Sequence, residues 1–315
     1  MENNLHLDGS KEYREPDLIT TGVVALAGPP NAGKSTLLNR LLGQKVSIVT
    51  PKPQTTRNRI AGVLNGDGYQ LVFLDTPGLH RSSTLLNREM VQVALHSLRE
   101  VEAVVFMIDV TDQVHPDAGA GRQEEYRTYL EEVRSPAFLV LNKIDLIDRR
   151  ELLPIIEGYA GLYPFTSIIP VSALKGVGLE RLVSELLGVM PKGYRYFPED
   201  VPTDATERFL SAEIIREKVF LHTGQEVPYA SAVLIDSFKE DAERKLVEIH
   251  ATIYLERTSQ KGIVIGRGGE KIKQIGTAAR RDIEEMLDQK VALHLWVKIR
   301  KHWSRDPKFL QELGL

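Results

Sequence analysis

The chain contains no cysteine. Disulfides, thiolate zinc sites and cysteine nucleophiles are therefore excluded, and the absence fits a cytosolic protein. No apolar run approaches the ~20 residues that a membrane-spanning helix needs. The first seventeen residues, Met1 to Asp17, are polar and mixed in charge, so they do not form a secretory signal. A flexible tail is expected over 1–17. The eight histidines show no metal-ligand spacing. Internal repeats and low-complexity tracts are absent too.

What is present is an ordinary globular composition. Of 315 residues, 42% are hydrophobic and 26% charged, enough for two cores. The net charge of -3 hides a local excess. Between Arg257 and Arg281 lie seven basic residues against one acid, Glu270. Such a stretch attracts phosphate, although a solvated helix face has the same composition.

Short apolar runs alternate with amphipathic stretches. Val23 to Ala27, Leu71 to Leu74, Ala103 to Ile108, Phe138 to Leu141 and Ile168 to Val171 read as buried strands. Ser35 to Leu42, Leu85 to Leu98, Arg122 to Glu132 and Leu179 to Leu187 read as helices. This order predicts an α/β, doubly wound domain with a mainly parallel sheet over 18–192, its site at the carboxyl ends of the strands. Pro191, Gly193, Pro198 and Pro202 mark a linker over 193–205. From 206 to 315 the order is helix, strand, strand, helix, strand, an α+β unit. Its second strand alternates cleanly through Val247, Ile249, Ala251, Ile253 and Leu255.

Four motifs fall at strand ends. Gly28, Pro29, Pro30, Asn31, Ala32, Gly33, Lys34 and Ser35 fit G-x-x-x-x-G-K-S between a strand and a helix. Backbone N–H groups there, continuing through Thr36, suit phosphate oxygens. Lys34 is expected on the terminal phosphates and Ser35 on magnesium. Asp75 and Gly78 fit D-x-x-G, with Asp75 at the metal and Gly78 beside the terminal phosphate. Asn142, Lys143 and Asp145 fit N-K-x-D. An ionised Asp145 accepts from guanine's two adjacent N–H donors, which adenine lacks. Asn142 is expected to brace the loop, and the Lys143 stem to lie against the base. Ser172, Ala173 and Leu174 follow the next strand and offer backbone N–H to the guanine oxygen. GTP or GDP with Mg2+ is thus the expected ligand.

In the second unit, Gly266, Arg267, Gly268 and Gly269 fit G-x-x-G at the entry to a helix. Such a loop clamps the backbone of single-stranded nucleic acid. Lys271 and Lys273 extend its basic surface. Set within this element order, the loop resembles a type-2 KH domain.

Together with Gln54-Thr55-Thr56-Arg57 and Asp75-Thr76-Pro77-Gly78-Leu79-His80, these motifs resemble the Era family of bacterial GTPases. The likeness covers nearly the whole chain after the first ~18 residues. It implies a P-loop G domain joined to a KH domain. It implies that Thr56, with Thr55 as the alternative, reaches magnesium from the first switch. It also implies binding to small-subunit ribosomal RNA near its 3′ end, a role in maturation of the small ribosomal subunit, and peripheral contact with the inner face of the cell membrane. Asn58 stands where the family often has histidine. Leu79 stands where Ras-like enzymes place a water-orienting glutamine. Lys34, Thr56, Gly78 and Asn31 are then the candidate catalytic residues. Asn31 resembles an asparagine that helps bind K+ in related GTPases, or it only shapes the turn. Hydrolysis is expected to be slow, about 10⁻⁴ to 10⁻² per second, and the protein a monomer. Two rivals are an enzyme whose hydrolysis drives RNA modification, which would need a catalytic domain beyond the residues that the KH pattern uses, and an RNA-binding protein with a vestigial nucleotide site.

Overall fold

The computed structural model describes residues 18–80, 84–113, 120–224 and 226–315. The tail expected over 1–17 lies outside them. The first unit holds β1 (Ile19–Ala27), α1 (Lys34–Leu42), β2 (Ile60–Gly66), β3 (Tyr69–Asp75), α2 (Leu85–His96), β4 (Ala103–Asp109), α3 (Ala120–Leu130), β5 (Ala137–Asn142), α4 (Arg149–Ala160), β6 (Ser167–Val171), α5 (Leu179–Leu187) and the short β7 (Lys192–Gly193). The sheet order is β2-β3-β1-β4-β5-β6, with β7 against the start of β1. The pairings from β3 to β6 are parallel, while β2 and β7 run antiparallel to their neighbours.

Every residue of β4 and β5 is buried, as central strands covered on both faces require. Leu37, Leu38 and Leu182 lie with Val24, Leu26 and Phe73 on one side. Tyr126, Tyr159 and Ala94 lie with Ala25, Ala27 and Phe106 on the other. The sheet is therefore doubly wound. β2, α4 and β7 are additions to the elements expected from sequence.

Residues 193–205 follow the edge strand closely. Tyr196 and Phe197 donate their N–H groups to Gln70 Oε1 at 2.7 and 3.0 Å. Val63 N–H donates to Pro202 O at 2.8 Å, and Thr203 Oγ1 to Ala61 O at 2.6 Å. The segment thereby covers the open edge of β2, which would otherwise expose unpaired backbone groups.

The second unit holds α6 (Glu207–His222), β8 (Ser231–Asp241), β9 (Leu246–Leu255), α7 (Thr258–Ile265), α8 (Glu270–Leu287), β10 (Lys290–Ile299) and α9 (Pro307–Glu312). β9 is central, antiparallel to β8 and parallel to β10. Its alternating residues Val247, Ile249, Ala251, Ile253 and Leu255 are all buried against α6 and α8. Two helices extend the expected order. α7 holds Val264 and Ile265, and α9 follows β10. Trp303, Phe309 and Leu310 cover one half of the sheet's other face and pack on Leu86 and Met90 of α2. This apolar seat joins the two units.

Candidate nucleotide and nucleic-acid sites

Gly28 opens the first loop with φ +133°, and a Cβ there would lie 2.1 Å from Met107 O. Only glycine allows that approach. The loop ends at Gly33, which starts α1 in the left-handed region without a side-chain cap. The N–H groups of Lys34, Ser35 and Thr36 thus have no carbonyl one helical turn before them. They face an open cleft of about 280 Å³, lined also by Pro30, Asn31, Gln54, Thr56, Gly78 and Lys143. Pro29 and Ala32 complete the turn, with Ala32 N–H donating to Pro29 O.

Lys34 is buried and donates to Gly28 O and Pro29 O at 3.0 and 2.9 Å. Burial pushes its ammonium down to about 8, partly opposed by the charge of Asp75. Asp75 is fully buried at the end of β3. Its Oδ2 accepts from Ser35 Oγ at 2.6 Å and Ser47 Oγ at 2.7 Å. Since Ser35 donates there, Thr56 Oγ1 donates to Ser35 Oγ across 2.9 Å. Burial raises the Asp75 carboxyl above its ordinary value, against those hydroxyl hydrogen bonds and the Lys34 charge. Asp75 Oδ1 is buried without a hydrogen-bond partner. A carboxylate with one orphaned oxygen beside two hydroxyls is a donor set fit for a hard divalent cation. Thr55 turns away, to Thr50 Oγ1 and Lys52 O. The hydroxyl beside Ser35 is therefore Thr56.

Gly78 passes close to Pro30, where a Cβ would meet Pro30 Cα at 2.7 Å. Leu79 donates its N–H to Gly28 O and is buried in the core. His80 Nδ1 lies 2.7 Å from Gly78 O. A carbonyl only accepts, so Nδ1 carries the proton and Nε2 accepts from Gln54 Nε2 at 3.1 Å. Asn31 adopts φ +62° and donates from Nδ2 to Pro51 O at 3.2 Å.

On the base side, Asn142 donates to Ala32 O at 2.7 Å and accepts from Ala173 N–H at 2.9 Å. It ties the ends of β5 and β6 to the phosphate loop. Lys143 bonds Asp109 through its ammonium. Ser172 Oγ accepts from Lys175 N–H at 3.1 Å. Asp145 and Leu174 stand exposed beyond the cleft lining. Ser47 and Asp109 were not singled out from sequence. Asp109 ends a strand as Asp75 does, whereas nothing local marks Ser47.

Residues 44–60 dock on the second unit. Lys45 Nζ reaches Glu217 Oε2 at 2.6 Å and Asp282 Oδ2 at 3.2 Å. Lys52 Nζ donates to Phe220 O and Thr223 O at the carboxyl end of α6, where a cation is favoured. Arg57 donates to Ser231 O, Pro228 O and Tyr229 O. Burial, then the neighbouring Arg216, push its guanidinium down to about 9, so it stays charged at neutral pH. Arg216 pairs with Glu213 and donates to Thr55 O.

The second loop begins at Gly266, with φ +74°, where a Cβ would lie 2.7 Å from Lys271 Cβ. Gly268 and Gly269 are also left-handed, and space around Gly268 is open. Arg267, Gly268 and Lys273 are exposed, and Lys271 is half-buried. Beside the loop runs a groove of about 430 Å³ between Ile272, Lys273, Gly276, Thr277 and Arg280 of α8 and residues 291–295 of β10.

Residues 23–143 match the family described as 50S ribosome-binding GTPase, and 226–304 match the KH domain. The chain is 52% identical over 295 residues to GTPase Era of Geotalea uraniireducens, covering 93% of this chain and 97% of that protein. It is 47% identical over 297 residues to GTPase Era of Syntrophus aciditrophicus, covering 94% and 95%. Among solved structures it is similar to a substituted Aquifex aeolicus Era bound to GDP and AlF4-, with 41% identity, TM-score 0.88, and 94% and 99% of the chains covered. It is similar also to Era in complex with MgGDPNP and nucleotides 1506–1542 of 16S ribosomal RNA, with 41% identity, TM-score 0.89 and the same coverage.

Proposed function

The chain belongs to the Era family of GTPases, and from that membership we propose a GTP-hydrolysing switch that binds small-subunit ribosomal RNA near its 3′ end and assists small-subunit maturation. The observation that carries the nucleotide half is the convergence of Ser35, Thr56 and Asp75 beside buried Lys34, with Asp75 Oδ1 left without a partner. In this reading Ser35, Thr56 and Asp75 hold Mg2+, which when bound neutralises phosphate charge. The loop N–H groups from Gly28 to Thr36 bind phosphate oxygens, Lys34 holds the terminal phosphates, and Gly78 reads the last of them. Asp145 selects guanine, Ser172 to Leu174 support it, and Asn142 fixes the two base loops to the phosphate loop. Such interlocking favours a working site over a vestigial one.

Leu79 is buried and apolar and orients no water. Transition-state charge then falls to Lys34, the metal and the loop N–H groups, which suits slow hydrolysis. Asn31 would hold K+ beside the phosphates. Gly266, Arg267, Gly268 and Gly269, with Lys271 and Lys273, clamp the RNA backbone. The relative solved with MgGDPNP and 16S ribosomal RNA supports joint binding. We take 18–192 as the G domain, 193–205 as the connection and 206–315 as the KH domain. A monomeric cytoplasmic protein that touches the inner membrane face completes the proposal, tested by light scattering and vesicle flotation. No helix among the described residues is long and apolar enough to cross a membrane.

The two halves meet through residues 44–60. Lys45 pairs with Asp282 on α8, the helix that opens at the RNA loop. A rearrangement of this segment on hydrolysis would break the Lys45 contact to α8 and leave Asp282 paired with Lys218, so RNA affinity should differ between the GTP and GDP states. Fluorescence anisotropy with a GTP analogue and with GDP tests this. Equal affinities, together with no effect of RNA on hydrolysis, would make the switch reading wrong.

A further inference from the structure

We infer that the uncovered half of the KH-type sheet carries a transition-metal site formed by Glu248, His250 and His294. β9 and β10 run parallel and in register, which sets His250 directly opposite His294. Glu248 lies one pleat before His250 and so shares its face. His250 Nε2 is 2.8 Å from Glu248 Oε1, and His294 Nε2 is 3.9 Å from the same oxygen. The three ligand atoms all lie within 4.8 Å of one another. Metal bonds of about 2.0–2.2 Å in tetrahedral geometry separate ligands by roughly 3.3–3.6 Å. The observed separations bracket that range. Small side-chain rotations on two hydrogen-bonded strands would close the set around an ion.

A carboxylate–imidazole pair needs only one histidine. Here a second ring converges on the same oxygen and has no other hydrogen bond or ion pair among the described residues. The His250 ring is further oriented by Trp296, stacked at 5.2 Å and 13°. Two imidazoles and one carboxylate, without thiolate, suit Zn2+, Co2+ or Ni2+ rather than Mg2+ or Ca2+. Water would take the fourth position. Histidines distant in sequence form the set, so no linear spacing announces it.

The site lies where an ion would matter to the groove. β10 is an edge strand and the wall that faces α8. A metal bridging it to β9 ties that wall down.

The test uses the full chain without an oligohistidine tag, saturated with Mg2+ and GDP so that the nucleotide site is filled. ZnCl2 is titrated by calorimetry. One saturable equivalent is expected. Loss of a hydrogen bond to a ligand costs roughly 10–100-fold in metal affinity, so His250→Ala and His294→Ala should each cost at least that. Their thermal unfolding without zinc should match that of the unsubstituted chain. Ni2+ should quench exposed Trp296, and Trp296→Phe should abolish the quenching while keeping the zinc heat. Absence of saturable binding would overturn the inference. So would binding that survives both histidine substitutions, which would place zinc on the nucleotide or elsewhere.

Discussion

Arg57→Ala should loosen the seat between the two units. The guanidinium donates to Ser231 O at 2.8 Å, to Pro228 O at 3.3 Å and to Tyr229 O at 3.3 Å. It also lies 5.5 Å from the centre of the Trp303 ring. The short charge-assisted bond contributes about 1.5–3 kcal/mol. The cation–π contact adds about 0.5–2 kcal/mol. The two longer bonds add little individually, but alanine leaves their carbonyls with one donor fewer. Against this stands the desolvation that the buried guanidinium no longer suffers. The net loss should be about 2–4 kcal/mol. Urea unfolding followed by Trp303 emission, in a Trp296→Phe background, measures it. The Trp303 transition should move to lower urea and its native emission should shift red. Arg57→Lys keeps the charge but not the fork and should recover less than half. An unchanged midpoint and unchanged emission would show that Arg57 does not hold the interface, and the clasp of residues 44–60 would lose its central member.

Asp145→Asn should move nucleotide preference from GTP towards xanthosine triphosphate in competition binding, because the 2-oxo group then meets an amide donor. Gly268→Asp should abolish most binding to single-stranded ribosomal RNA while sparing GTP affinity, since the added Cβ meets nothing within 4 Å, the strain of a side chain at φ +59° stays in the loop, and the nucleotide motifs lie in the other unit. Replacing Lys271 and Lys273 together should lower the slope of log affinity against log salt by up to about 0.7 for each lost phosphate contact. Hydrolysis should run faster in potassium than in sodium at equal ionic strength, and Asn31→Ala should erase the difference; equal rates would leave Asn31 a turn residue. The nucleotide-free protein should gain stability as pH rises from about 8 to 10.5, because over that span Lys34 keeps its proton unfolded but sheds it folded. Phosphate binding should flatten that rise in a pH series of melts.

The central strands, and the placement of all four motifs at strand ends, were legible because their signals are local. Glycines, a lysine and an aspartate sit at fixed offsets from apolar runs. β2 was not, since Gly62 interrupts it and it pairs at an edge. Pro154 inside α4 masked a helix whose Asp148–Glu151 capping box was readable. The β-branched run of Ile263, Val264 and Ile265 disfavours a helix by propensity, so α7 carried no clear helical signal. Gln260 nevertheless caps α7 by accepting from Glu256 and Arg257 N–H. The docking of residues 44–60 had no such trace. Its basic side chains were visible, but Lys52 and Arg57 end on backbone carbonyls far along the chain, and a carbonyl carries no sequence signature.

The apolar seat of Trp303, Phe309 and Leu310 under α2 bears on the order of events during synthesis. Domains emerge and fold from the amino end, so the sheet with its phosphate loop stands complete while residues 303–310 are still unmade. Through that interval Ala94 already seats the carboxyl end of α2 on the sheet, but Leu86 and Met90 at its other end lack their apolar cover. The nascent protein therefore passes through a stage with a formed phosphate loop, a half-seated α2 and no partner for residues 44–60. It leaves that stage only when the segment that also closes the RNA-binding unit arrives.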